Sequence, residues 1–172
     1  MFNKLKSKAV TIILTITTAV FMTPTFSNGF INTVTQKQVS ADFNKQVDCL
    51  AKNIYYEAAQ ESYEGKLAVA QVTINRLNHP DYPSDVCGVI YQKTGSTCQF
   101  SWVCENVDRV SKDKYIWEEC MQIARRALTE DQVHEELAAR NALYYHAVYV
   151  NPKWKNTKVI KKIGNHIFYV RV

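Results

Sequence analysis

The sequence predicts an α+β fold, a set of helices followed by a small antiparallel sheet, and three observations carry that expectation. Apolar residues recur with helical spacing between Val47 and Leu128. After the acidic cluster Glu130, Asp131, Glu135 and Glu136 the chain turns aromatic and β-branched, and Gly164-Asn165 separates two short runs of strand character. Helices first and strands last along one chain is the α+β order.

The N-terminus stands apart from this plan. Lys4, Lys6 and Lys8 form a basic region without an acid, and Ala9 to Met22 is an apolar run diluted by threonines. That run is short for a membrane span, which needs about twenty apolar residues. Small and polar residues follow it, so residues 1–27 read as a cleaved signal peptide, with an uncleaved anchor as the alternative. Residues 28–41 are polar and threonine-rich with no hydrophobic period and read as a linker or poorly ordered arm. Residues 42–172 then suffice for one domain, and a second does not fit. The expected location is secreted or periplasmic.

The formal net charge is +5, of which the three N-terminal lysines supply three, so global charge says little about partners. Its distribution says more. No Asp or Glu follows Glu136, whereas Arg140, Lys153, Lys155, Lys158, Lys161, Lys162 and Arg171 do. Such a run is a solvated basic face or a surface suited to an anionic polymer.

The stretch Cys49 to Arg76 reads as two helices joined at Gly65. At about 100° per residue Val47, Leu50, Ile54 and Ala58 share an arc, and Glu57 and Glu61 fall within or beside it. A carboxylate on an apolar arc has two readings. It is a helix-end residue reaching solvent or Arg76, or it is a general acid kept protonated by desolvation.

The second helix, about Tyr63 to Asn78, carries Leu67, Ala70, Ile74 and Leu77 on one side and Val69 and Val72 on another. Being apolar nearly all round, it belongs at the centre of the domain. Asn78 to Pro83 breaks the chain, and Ser84 or Asp85 is placed to cap a short helix through Val86, Val89 and Ile90. A loop, Lys93 to Thr97, leads into Cys98-Gln99-Phe100-Ser101-Trp102. From Lys112 to Leu128, Ile116, Cys120, Ile123, Ala124 and Ala127 mark a third amphipathic helix, with Trp117 near their edge. Leu143 to Val150 is strand-like and ends at Asn151-Pro152, and 158–163 with 166–170 form a hairpin.

The five cysteines follow an export-like segment, so disulfides are expected. None forms a Cys-x-x-Cys pair, which argues against a structural zinc site. Spacing alone leaves connectivity open. Cys98 with Cys104, bracing the loop Gln99 to Val103, is the first choice; Cys49 with Cys87 would then tie the first helix to the next segment.

Signatures for other chemistries are missing: no Gly-rich phosphate loop, no His-Glu-x-x-His, no Gly-x-Ser-x-Gly. His146 and His166 could join Glu57 around a metal, but the reading of ordinary strand histidines is preferred, and no metal or cofactor is expected. Tyr55, Tyr56, Tyr63, Phe100, Trp102, Tyr144, Tyr145 and Trp154 offer flat faces for sugars or serve simply as core.

The segment Asn53-Ile-Tyr-Tyr-Glu57-Ala-Ala-Gln-Glu61-Ser-Tyr-Glu-Gly65 through Asn75-Arg76 resembles the opening motif of the SleB-like cell wall hydrolases, the family of spore cortex-lytic enzymes. Further matches follow in order: Pro83 with Val86 to Gln92, Gln99-Phe100-Ser101, Tyr145-His146-Ala147, Val150-x-Pro152-x-Trp154 and Ile163-Gly164-x-His166-x-Phe168-Tyr169. The resemblance covers about residues 47 to 170. It implies a lysozyme- and transglycosylase-related α+β domain that cleaves the linkage between N-acetylmuramic acid and N-acetylglucosamine in peptidoglycan, with Glu57 as the catalytic acid. Two departures stand out, Ala59-Gln60 where the family usually has Arg-Gly, and Leu143-Tyr144 where it often has Thr-His. Only Tyr145 and His146 are therefore carried over from the first strand.

One well-placed acid suits a lytic transglycosylase, in which the substrate's own 6-hydroxyl replaces water. Glu61 or Glu64 as a second carboxylate would favour hydrolysis. Glu61, Phe100, Ser101, Tyr145 and His146 are the candidate substrate-binding residues. The alternatives are a hydrolase using Glu57 and Glu61 as a pair, or a non-catalytic peptidoglycan-binding module. The expected partner is the peptidoglycan glycan strand, with no nucleic acid, membrane contact only through the N-terminal segment, and a monomeric state.

Overall fold

Ten elements arise in the order the hydrophobic periods suggest, in a computed structural model that describes residues 28–105, 107, 112–129 and 139–172, with side chains from residue 38 onward. The expected signal peptide and the acidic cluster at 130–136 lie outside the described residues.

Helix α1 (Asn28–Ala58) and helix α2 (Tyr63–Leu77) follow each other and pack together. The stretch 28–41, expected from composition as a linker or arm, lies within the N-terminal half of α1. Residues 38–42 are all exposed, which is why no apolar period marks them. From Val47 onward the expected arc is buried: Val47, Leu50, Ile54 and Ala58 are all inaccessible or nearly so.

The joint between the helices is not at Gly65. It is the turn at 59–62, where Ser62 in extended conformation caps α2 by accepting from the Gly65 N–H at 3.2 Å. Gly65 sits inside the first turn of α2, and a Cβ there would come within 2.8 Å of Glu61 Cβ.

Two short helices, α3 (Val86–Ile90), capped by Asp85, and α4 (Ser101–Glu105), and the longer α5 (Lys114–Thr129) follow. Strands β1 (Lys93–Thr94) and β2 (Thr97–Cys98) pair around Gly95, whose φ of +62° suits glycine. The stretch after Cys98, expected as a loop, turns into α4, and the Cys98–Cys104 disulfide spans that junction. A second disulfide, Cys49–Cys87, ties α1 to α3; both pairs are those expected from the sequence. Cys120 is a buried free thiol on α5, pushed by desolvation up to about 11.

The sheet follows at the C-terminal end. Strands β3 (Tyr144–Ala147), β4 (Thr157–Ile163) and β5 (His166–Arg171) lie antiparallel in the order β3-β5-β4, with a register shift in β4 between Val159 and Lys161. Gly164, at φ +53°, opens the tight turn between β4 and β5.

Helix α2 is the centre, as its all-round apolar character requires. Ala70 and Ile74 join α1, α3 and α5 in a helical core that also holds Phe100 and Trp102. Ala68, Val69 and Val72 face a second core made with Ala58, Ala139, Ala142, Ile163 and Phe168. Tyr145 packs against both cores, at the seam where helices meet sheet. Among the described residues, no helix is long and apolar enough to cross a membrane.

Candidate active site

A cleft of about 360 Å³ opens at that seam, lined by Glu57, Arg76, Gln99, Phe100, Ser101, Tyr144, Tyr145 and Trp154. Each element contributes at its end: α1 supplies Glu57, α2 supplies Arg76, the β2–α4 junction supplies residues 99–101, β3 supplies Tyr144 and Tyr145, and the β3–β4 connection supplies Trp154.

One turn before Glu57, the buried amide of Asn53 fixes this wall. Its Nδ2 donates to Thr73 Oγ1 on α2 at 3.4 Å, and its Oδ1 accepts from Trp102 Nε1 on α4 at 3.0 Å. A fully buried Asn with both ends of its amide engaged locks α4, and with it Phe100 and Ser101, to the helix that carries the acid.

Glu57 is half-buried in the last turn of α1. Desolvation raises its carboxyl above the usual range; the Tyr145 O–H, donating to Oε2 at 3.0 Å, and the Arg76 charge pull the other way, and Glu105 adds a smaller upward push. Burial wins, so the carboxyl holds its proton to a higher pH than a free glutamate. Tyr145 is the inward residue of β3, opposite Phe168, with its ring 5.2 Å from His166 edge-on and 5.6 Å from Phe168. Its own hydroxyl is raised well above 10 by burial and by the adjacent carboxylate, so it stays a donor.

Arg76, named from sequence only as a partner for the acid, is itself a cleft residue. It is 3% exposed; Nε donates to Leu143 O at 2.9 Å, and the guanidinium lies 5.3 Å from the Tyr82 ring and 5.4 Å from the Phe100 ring. Its Nη1 has no hydrogen-bond partner among the described residues. The signal that could have found it was a lone arginine between Ile74 and Leu77 on a helix apolar nearly all round. Tyr144, set aside because of its departure from the family pattern, also lines the cleft.

Four residues weighed from the sequence, Glu61, Glu64, His146 and His166, are not part of the cleft lining. Glu61 follows the end of α1, so the helical arc that aligned it with Glu57 does not extend to it. Its Oε2 accepts from the Asn165 N–H at 3.1 Å and its Oε1 from Asn165 Nδ2 at 3.0 Å, clamping the β4–β5 turn to the α1–α2 turn. A Cβ on Gly164 would lie 1.8 Å from Glu61 Oε2, so this contact requires glycine there. Glu64 pairs with Lys161 at an exposed surface. His146, one residue from Tyr145, points to the opposite face of the sheet. Its ring nitrogens lie 2.8 Å from Ala147 O and 2.7 Å from Tyr169 Oη. His166 is on the inner face, so the two histidines do not converge with Glu57. A separate hollow of about 300 Å³, lined by Asn75, Asn78, His79, Asn141 and Leu143, carries no carboxylate.

Comparison with known proteins bears on the family and the fold. The family described as cell wall hydrolase matches residues 60–169, beginning three residues after Glu57. The spore cortex-lytic enzyme of Bacillus subtilis is 33% identical over 132 residues, 73% of this chain and 37% of that protein. The spore cortex-lytic enzyme of Oceanobacillus iheyensis is 36% identical over 128 residues, 71% of this chain and 40% of that protein. This chain thus spans about two fifths of the length of these relatives. Among solved structures, the catalytic domain of the germination-specific lytic transglycosylase SleB from Bacillus anthracis superposes with a TM-score of 0.57 at 28% identity, over 72% of this chain and 92% of that one. The catalytic domain of the Bacillus cereus SleB protein gives 0.53 at 27% identity, over 72% and 88%. With a family match over more than half its length and the same α+β architecture, the chain belongs to the cell wall hydrolase family.

Proposed function

We propose that this chain is a peptidoglycan-cleaving glycosidase acting on the N-acetylmuramic acid to N-acetylglucosamine linkage, working as a lytic transglycosylase with Glu57 as general acid and base. The observation that carries the reading is that Glu57 is the single carboxylate among the described residues lining the cleft, desolvated and held by Tyr145. The similarity to spore cortex-lytic enzymes and to a lytic transglycosylase catalytic domain supports it.

In this mechanism Glu57 gives its proton to the glycosidic oxygen as the bond to the anomeric carbon breaks. The resulting carboxylate then accepts the proton of the muramic acid 6-hydroxyl as that oxygen bonds to the anomeric carbon, which closes a 1,6-anhydro ring. One carboxylate serves both steps, and it finishes protonated as it began. A hydrolase delivering water would use a second carboxylate. Glu61, the sequence candidate for that place, has both oxygens committed to Asn165. Residues 1–27 fit a signal peptide delivering residues 42–172 to the cell wall, outside the cytoplasm.

The test is cleavage of purified sacculi with mass spectrometry of the released muropeptides. Wild type should release products ending in anhydromuramic acid, and Glu57→Gln should lose roughly 10²- to 10⁴-fold in rate with its fold kept. Reducing muramic ends instead would replace transglycosylation by hydrolysis, and full activity in Glu57→Gln would remove Glu57 as the acid. Binding to sacculi without any release by wild type would favour a non-catalytic wall-binding module.

A further inference from the structure

The pleat of the three-stranded sheet sorts its side chains into two sets. Tyr145 and Phe168, opposite each other, face inward. Tyr144 and Tyr169, also opposite each other, and His146, two residues from Tyr144, face outward. Over this outer row lies Trp154, its ring centroid 5.5 Å from Tyr144, 5.7 Å from His146 and 5.6 Å from Tyr169, standing nearly perpendicular to the last.

The support beneath the indole is itself fixed. With Nδ1–H donating to Ala147 O, His146 Nε2 accepts the Tyr169 hydroxyl, and the two rings lie 5.2 Å apart. Three rings therefore hold Trp154, yet it remains 43% exposed. A tryptophan ordered by its neighbours has little freedom left to lose on binding a ligand. Trp154 and Tyr144 also line the cleft that contains Glu57, so the aromatic row begins at the cleft and runs out along the sheet.

A cleft of about 360 Å³ is small beside a polymeric glycan, so a bound strand must leave it across one rim. We propose that Trp154, buttressed by Tyr144, His146 and Tyr169, is a stacking platform for a sugar ring of the strand beyond the pair whose linkage is cut. This rests on the reading of the cleft given above. The apolar C–H face of a pyranose suits the indole face, while the hydroxyls at the sugar's edge stay in water. Exposed Lys153 and Lys155 flank Trp154 in the chain and put positive charge where the strand's peptide carboxylates would pass. The role this assigns to His146 is positioning: it acts through Trp154 and does not meet the reacting atoms.

Glu57→Gln protein, which keeps the platform, is titrated calorimetrically with soluble β-1,4-linked N-acetylglucosamine oligomers from the disaccharide upward. Affinity should rise with length, and adding Trp154→Ala should weaken the longer oligomers about tenfold while changing the disaccharide little. Trp154→Phe, which keeps a smaller flat face, should fall between. It also carries the length comparison if the alanine variant does not fold. Equal affinity of the longer oligomers for both proteins, or no gain with length, overturns the proposal. Equal weakening at every length also overturns it, because Trp154 would then belong to the scissile pair itself. Failure of the catalytic reading shows separately, as cleavage of sacculi retained by Glu57→Gln.

Discussion

Glu61→Ala separates a structural clamp from a catalytic second carboxylate. In the wild-type protein Glu61 accepts two hydrogen bonds from Asn165, at 3.1 and 3.0 Å, and so holds the β4–β5 turn against the α1–α2 turn. A buried charged hydrogen bond contributes about 1.5–3 kcal/mol, but these are exposed, and after removal of Glu61 water can satisfy the Asn165 N–H. Discounting each contribution to roughly a third gives a total of about 1–2 kcal/mol. For a domain of this size that lowers the thermal midpoint by roughly 3–8 °C. Circular dichroism melts give the midpoint, and release of muropeptides from sacculi well below both midpoints gives activity. The clamp predicts a lower midpoint with activity within a fewfold of wild type. Glu61→Gln, which can keep one acceptor contact, should lie between. An unchanged midpoint with a hundredfold or greater loss of cleavage would refute this reasoning and return Glu61 to the chemistry.

Two further outcomes follow from the cleft. Tyr145→Phe removes the donor that favours ionised Glu57, so the carboxyl should rise further and the alkaline limb of the activity profile should move to higher pH; a shift to lower pH would show that Tyr145 acts otherwise. Glu57→Gln should also be more stable than wild type at neutral pH. A folded-state pKa raised above the unfolded value makes the wild-type carboxyl cost stability progressively as pH rises above about 4.5 and through the folded value, so the gain in midpoint should grow with pH over that window and vanish below it.

Much of the architecture was legible because it depends on short-range periodicity. The arc of Val47, Leu50, Ile54 and Ala58 is buried as its spacing requires, and α2, apolar all round, lies between two cores. Asp85 caps α3, and Gly164-Asn165 turns the hairpin. Both disulfides join segments that the chain brings close through single helices and turns.

The candidate site was legible only in part. The arc drew attention to Glu57 and Glu61 alike and the family resemblance singled out Glu57, which lines the same cleft as the motif residues Phe100, Ser101 and Tyr145. Glu61 does not share the arc of Glu57, because α1 ends at Ala58, and a helical wheel carries no information about where the helix stops. His146 and Tyr145 alternate along β3, so one had to face away from the acid; period two says that they differ, not which is inside.

By itself the sequence determined the longer helices, the C-terminal hairpin, their order and the presence of a carboxylate on a buried helical arc; the short strands, α4, the helical state of 28–41 and the choice among cystine pairings were decided by the tertiary structure. Only the tertiary structure decided which residues meet that acid. Arg76 from α2, Tyr145 from β3 and Trp154 from a connecting loop reach the cleft through contacts between distant parts of the chain, and the Asn165 backbone that claims Glu61 lies 104 positions away. Local periodicity reports which face of an element is apolar. The partner each face takes is set by packing the elements together, and there the chemistry of this protein is assembled.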